Sequence, residues 1–176
     1  MVTIAPPATL VSVEPVRLRL KPAVCLSDDQ LQALCELNSE LRIERTSEGD
    51  LEIMSPAGPG SAERGSEINF QLRQWVKVDG TGTVFDSSAG FLLTNGAMRA
   101  PDTSWVRWSR LKGLSRSERE KFLCLCPDFV VELRSATDSL SSLQEKLEEY
   151  MANGRCRGLT SNAQSVSPSP TVCLLP

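Results

Sequence analysis

Residues 127–133 read Pro-Asp-Phe-Val-Val-Glu-Leu, and this stretch decides the fold. Its unbroken apolar run is typical of a central strand that is covered on both faces. Glu132 ends the run, and a carboxylate buried there costs several kcal/mol unless a cation or a metal ion compensates it. We therefore expect a central strand that carries a functional or ion-paired acid.

A second acid stands before another strand. Asp102 follows Ala100-Pro101 and precedes a stretch to Trp108 with strand character. Two carboxylates that converge from neighbouring strands form an oxygen-rich site suited to Mg²⁺ or Mn²⁺, which could activate water. Structural ion pairs are the alternative, because acids placed in this way also arise by chance in α/β proteins.

Two helical residues complete the candidate site. Lys146 lies beside the apolar face of a predicted helix that begins at Thr137 or Ser139, so its ammonium could reach the acids. Glu67 lies on the flank of an earlier helix, predicted over residues 61–77, and could add a metal ligand.

The segments around these helices predict an α/β (α+β) domain with a mixed sheet flanked by helices. An N-terminal helix starts at Ser27, and residues 41–45 and 51–54 alternate as in a β-hairpin. Residues 83–86 and 90–93 read as further strands, and residues 111–121 as a polar helical insert. We expect an irregular arm over 1–22, one domain over 23–154, and a disordered tail over 155–176 without secondary-structure period.

The amino-acid composition excludes several kinds of catalytic site and zinc site. The chain has 176 residues and no His, which excludes Ser-His-Asp and Cys-His triads and makes the common zinc patterns unavailable. We expect its six cysteines to be buried free thiols. The net charge of -3 gives no bulk attraction to a polyanion. Without a long apolar run or a signal-like N-terminus, we expect a soluble, cytoplasmic protein with no membrane contact.

A set of motifs resembles the Uma-two family of restriction-endonuclease-like proteins, best known from cyanobacteria. The motifs occur in the order Met54-Ser-Pro, Ser66-Glu67-Ile-Asn, Val84-Phe-Asp-Ser-Ser-Ala-Gly-Phe, Ala100-Pro-Asp102-Thr-Ser-Trp-Val, Cys126-Pro-Asp-Phe-Val-Val-Glu132-Leu-Arg-Ser and Leu143-Gln-Glu-Lys146-Leu-Glu-Glu-Tyr150. The resemblance covers residues 31–154. It implies the PD-(D/E)xK nuclease fold and a Mg²⁺-dependent phosphodiesterase site.

The same resemblance implies roles for individual residues. Asp102 and Glu132 match the two metal-binding acids, and Glu67 matches the helix acid. The standard motif has Lys two residues after the second acid, where this chain has Arg134, which cannot act as a base. The family's Lys matches Lys146 instead. Asp128 is an alternative proline-aspartate, ranked lower because it shares a strand with Glu132.

The resemblance stops after Asn153. Family members continue into an apolar strand, whereas this chain reads Gly-Arg-Cys-Arg-Gly-Leu-Thr-Ser-Asn from residue 154. We therefore expect the strand to be missing, as after a truncation or frameshift near Gly154, with a weakened fold.

Three functional hypotheses follow from the sequence. The first is a Mg²⁺-dependent endonuclease that acts on DNA. The second is a non-catalytic nucleic-acid-binding or regulatory protein on the nuclease scaffold, and the third is a decayed product that barely folds. Each of the three hypotheses is compatible with a homodimer.

Overall fold

The computed structural model describes residues 15–134, 139–154 and 156–161. Its helices are α1 (Asp28–Leu37), α2 (Pro59–Asp79), α3 (Trp108–Leu111), α4 (Arg116–Arg119) and α5 (Leu140–Ala152). Its strands are β1 (Val16–Leu18), β2 (Arg42–Arg45), β3 (Leu51–Met54), β4 (Gly82–Asp86), β5 (Phe91–Leu92), β6 (Met98–Arg99), β7 (Thr103–Arg107), β8 (Phe129–Leu133) and β9 (Arg157–Ser161). No described helix is both long and apolar enough to cross a membrane.

The strands form two sheets. The first has the order β1-β3-β2-β6-β5, with antiparallel neighbours, and includes the predicted hairpin as β2 and β3. The second has the order β4-β7-β8-β9, in which β8 and β9 run parallel and the other pairs antiparallel. The prediction of a mixed sheet with flanking helices is confirmed.

The register of the second sheet places the two predicted acids side by side, at adjoining ends of the neighbouring strands β7 and β8. Thr103 of β7 pairs with Val131 of β8. Asp102 therefore lies just before β7 at the level where β8 reaches Glu132. This placement depends on the antiparallel pairing, since it sets the start of β7 beside the end of β8.

Local signals explain where the helices begin and end. Ser27 caps α1 with a full capping box to Gln30, as its sequence predicts. Gly80 ends α2 in the left-handed conformation, with φ of 68°. On α2, Trp75 packs edge-on against Trp105 of β7, with ring centroids 5.5 Å apart, which holds this otherwise exposed helix on the second sheet.

The predicted polar helix over residues 111–121 is wrong as one element. It is replaced by two single-turn helices, α3 and α4. Gly113 between them has φ of 95°, which a continuing α-helix cannot contain, and Ser115 starts the second turn with its own capping box.

The N-terminal arm contains more structure than expected. Val16–Leu18, inside the predicted irregular arm of residues 1–22, pairs with β3 and extends the first sheet. The edge of β3 offers unpaired backbone groups, and these three residues satisfy them. Residues 1–14 lie outside the described part of the chain.

The expectation of a missing strand after Gly154 is also wrong. Arg157–Ser161 forms β9, which pairs in parallel with β8 over its full length. Strand pairing is made by backbone groups, so a segment without apolar periodicity can still cover the open edge of β8. Cys156, just before β9, is buried in the core cluster that contains Val130 and Leu147. Residues 155 and 162–176 of the predicted tail lie outside the described residues.

The packing of β9 gives a stability prediction. A Cβ added at Gly158 would lie 2.6 Å from Leu147 Cδ2, and Leu147 is buried in the core. We expect Gly158→Ala to lower the free energy of unfolding by about 1–3 kcal/mol through overpacking. Urea unfolding measures it.

Gly60→Ala is the control, because a Cβ there meets only Arg64 Nη1 at 3.7 Å and alanine is favoured inside a helix, so its stability should equal or exceed that of wild type. A Gly158→Ala chain as stable as the Gly60→Ala chain would show that β9 does not pack on α5.

Candidate active site

Glu132 is almost completely buried at the end of β8, with 3% exposure. The Lys146 ammonium lies 3.0 Å from its Oε1, and the Tyr150 hydroxyl donates to the same oxygen at 3.2 Å. Burial raises the pKa of Glu132 to about 7; Lys146 opposes this shift, while the negative charges of Asp102 and Glu44 add to it. Glu132 therefore changes charge near neutral pH.

Lys146 bridges two acids. Its Nζ lies 3.0 Å from Glu132 Oε1 and 3.0 Å from Glu44 Oε1. Burial alone would lower the pKa of Lys146, but the two carboxylates outweigh burial and raise it. Lys146 thus remains an ammonium at neutral pH, so it can offset negative charge but cannot serve as a general base.

Asp102 is held from both sides. Its Oδ2 accepts the Leu133 N–H at 2.8 Å, and its Oδ1 accepts from Arg42 Nη1 at 3.1 Å. The first contact ties Asp102 to the residue that follows Glu132, which keeps the two acids together. The structure therefore brings together Asp102, Glu132 and Lys146 from the start of β7, the end of β8 and α5.

Glu44 is the acid that sequence analysis missed. It is fully buried in β2, accepts the Ala100 N–H at 3.1 Å and pairs with Arg99 at 3.2 Å as well as with Lys146. Burial opposes its ionisation, but Lys146 and Arg99 outweigh burial and lower the pKa of Glu44. Its only local signal is a charged residue in the alternation of β2, which is typical of a solvent-facing position.

Arg99 extends the cluster to further acids. It pairs with Glu52 at 2.9 Å and with Glu149 at 2.6 Å in addition to Glu44. Within the described residues, the network joins five carboxylates to three cationic side chains, namely Glu44, Glu52, Asp102, Glu132 and Glu149 with Arg42, Arg99 and Lys146. When all five acids are ionised, the cluster carries an excess of two negative charges.

The other sequence candidates lie elsewhere. Glu67 is exposed on α2 and accepts a hydrogen bond from Gln71 at 2.8 Å. None of its described contacts reaches the acid pair. Asp128 lies at the opposite end of β8, where it pairs with Arg110 at 3.3 Å and accepts the Arg107 N–H at 3.0 Å. Arg134 follows β8 and is partly buried.

The oxygen ligands of Asp102 and Glu132 suit a divalent metal ion, although these two residues alone do not complete its coordination. Across the described residues, no group of three or more Cys, Asp or Glu side chains is arranged to hold a metal ion. Asp102 and Glu132 nevertheless supply carboxylate oxygens, which Mg²⁺ and Mn²⁺ prefer, and Mg²⁺ often takes only one or two protein carboxylates. When Glu132 is ionised, the network's excess of two negative charges matches one such ion.

The chain matches a known protein family over most of its length. The Uma2 family model, which has the description "Putative restriction endonuclease", matches residues 28–167. The chain belongs to the Uma2 family. The match continues past Gly154 and through β9 to residue 167.

A solved structure shares the Uma2 fold seen here. It is the crystal structure of a protein from Anabaena variabilis described as a putative nuclease belonging to DUF820. The TM-score is 0.59 at 17% sequence identity, over 77% of this chain and 73% of that chain. The family match and this shared fold confirm the predicted restriction-endonuclease type of fold. No curated protein matches the chain.

The pKa of Glu132 predicts a pH-dependent stability. Between pH 4.5, its ordinary pKa, and its folded-state pKa of about 7, the folded chain keeps a proton that the unfolded chain releases. Each rise in pH through that window therefore lowers the free energy of unfolding, in total by roughly 3–4 kcal/mol at about 1.4 kcal/mol per pKa unit.

Glu132→Gln mimics the protonated acid, so we expect wild-type stability at pH 5 and higher than wild-type stability at pH 8. Urea unfolding of both chains at the two pH values measures this. An equal difference in unfolding free energy between wild type and Glu132→Gln at pH 5 and pH 8 would contradict the raised pKa of Glu132.

Loss of the Glu44 charge should be costly. Glu44→Gln leaves Lys146 and Arg99 with less compensation in a buried network, and we expect a loss of about 3–5 kcal/mol of unfolding free energy. Glu48→Gln is the control, since the Glu48 side chain is 67% exposed and should change stability by less than about 0.5 kcal/mol. Equal effects of the two variants in chemical unfolding would refute the central role of Glu44.

Proposed function

We propose that this Uma2 protein is an endonuclease that hydrolyses DNA phosphodiester bonds with the help of Mg²⁺ or Mn²⁺. The observation that carries the proposal is the contact of Lys146 with Glu132 at 3.0 Å, beside Asp102, whose Oδ2 accepts the N–H of the next residue, Leu133, at 2.8 Å. Two acids and one ammonium at a single sheet edge are the groups that hydrolysis of a phosphodiester needs when no His is present.

Each residue has a defined task in this proposal. Asp102 and Glu132 would hold the metal, and a bound divalent ion would polarise the phosphodiester and lower the pKa of water. Lys146, fixed as an ammonium by two carboxylates, supplies positive charge where negative charge develops on the phosphate. Tyr150 donates to Glu132 and orients its carboxylate, and the Leu133 N–H orients Asp102.

Plasmid cleavage tests this function. The substrate is supercoiled DNA, incubated with the protein in Mg²⁺ or in a chelator. Low salt is used because a chain with net charge -3 is only weakly attracted to DNA. We expect metal-dependent nicking by wild type, and a loss of at least about 10²-fold on Lys146→Met or Asp102→Asn, because each removes a preorganised charge from the site.

Two controls match those variants. Asp128→Asn changes the other proline-aspartate, which pairs with Arg110 at the far end of β8, and Lys121→Met removes an exposed ammonium that pairs with Asp29. Both should cleave like wild type. Undiminished cleavage by the Lys146 and Asp102 variants would overturn the proposed site. DNA binding without cleavage by wild type would instead favour the non-catalytic nucleic-acid-binding alternative.

A further inference from the structure

Two proline-aspartate turns in this chain are clamped by arginine in the same way. Arg42 donates to Asp102 Oδ1 at 3.1 Å and to the Ala100 carbonyl, two residues upstream. Arg110 pairs with Asp128 at 3.3 Å and donates to the Cys126 carbonyl at 2.6 Å, again two residues upstream. Both arginine side chains are 34% exposed. The chain thus contains an internal reference for the Arg42 clamp.

The two clamps differ in their surroundings. Arg42 interacts electrostatically with Glu44 and Glu132 in addition to Asp102, and its Nη2 is 4.0 Å from Glu44. Asp128 lies among cations instead, because both Arg107 and Arg110 pair with it. Only the Arg42 clamp therefore stands at the acid pair proposed to bind a metal.

Arg42 occupies the available oxygen of Asp102. Oδ2 is engaged by the Leu133 N–H, and Oδ1 is the oxygen that Arg42 contacts. A guanidinium and a divalent cation on the same carboxylate oxygen repel each other, and the guanidinium cannot relieve that repulsion by losing a proton. Metal binding at Asp102 is therefore opposed while Arg42 stays in place.

Arg42 is also the cation best able to leave. Its side chain is 34% exposed, against 15% for Lys146 and 11% for Arg99. Its Nε is buried without a hydrogen-bond partner among the described residues, so movement toward solvent would satisfy a donor that the present position leaves unpaired.

We propose that Arg42 is a resident counter-ion of Asp102 that a divalent metal must displace, so that Arg42 sets the metal affinity of the site. The inference rests on the proposed function, since it assigns the metal to the same acid pair. It adds a residue outside the acid-lysine set, one that lowers metal affinity until the metal displaces it.

Metal titration without DNA tests the exchange. Mn²⁺ affinity is measured by calorimetry, with the free ion followed by electron paramagnetic resonance, for wild type, Arg42→Gln and Arg110→Gln. We expect Arg42→Gln to bind Mn²⁺ about tenfold or more tightly than wild type, within the usual range of coupling between two sites. Arg110→Gln removes an equivalent clamp and should bind like wild type.

A second measurement is made on the wild-type protein. In wild type with isotope-labelled arginine, titration with Mg²⁺ should shift the Nε–H resonance of Arg42 and make it exchange with water. The Arg110 resonance should not change. Arg42→Lys and Arg110→Lys serve only to assign the two signals.

The outcomes separate the two proposals. Measurable Mn²⁺ binding by wild type, with Arg42→Gln no tighter and the Arg42 resonance unmoved by Mg²⁺, overturns the exchange and leaves the metal site in place. Absence of binding in wild type and both glutamine variants overturns the metal-dependent function and the exchange together.

Discussion

Lys146 lies between two buried carboxylates, and the arrangement of the three surrounding elements depends on that contact. Glu44 comes from the first sheet, Glu132 from the second, and Lys146 from α5. Because an unpaired buried charge costs several kcal/mol, loss of Lys146 would leave two carboxylates with less compensation, and loss of Glu44 would do the same to Lys146 and Arg99. The bridge therefore constrains where β2, β8 and α5 lie relative to one another, and the same constraint positions the candidate active site.

The network also explains how so many charges can be buried in a small domain. Arg99 connects Glu44 to Glu52 and Glu149, and Arg42 connects Asp102 to the same group. Each carboxylate has a hydrogen-bonded cation, yet acids still outnumber cations within the described network. Burial and the neighbouring acids raise the pKa of Glu132 to about 7, whereas at Glu44 the cations Lys146 and Arg99 outweigh burial and lower the pKa.

Much of this could be predicted from local patterns. The apolar run to Glu132 predicted the central strand, and helical spacing placed Lys146 beside the buried face of α5. Glu44 and Arg42 could not be found in this way, because alternating charges in a short strand look the same whether they face solvent or another sheet. β9 was missed because parallel pairing uses backbone groups and requires no apolar periodicity in an edge strand.

The sequence by itself determined the fold class, the helix and strand segments with strong caps or apolar runs, and the identity of Asp102, Glu132 and Lys146 as candidates. Only the tertiary structure decided which charges share one buried cluster, that Arg42 covers Asp102, and that Glu67 faces solvent. Local sequence determines backbone preference and the side chains that are available. Long-range register determines their neighbours, and the neighbours set the charge state and chemistry of each group.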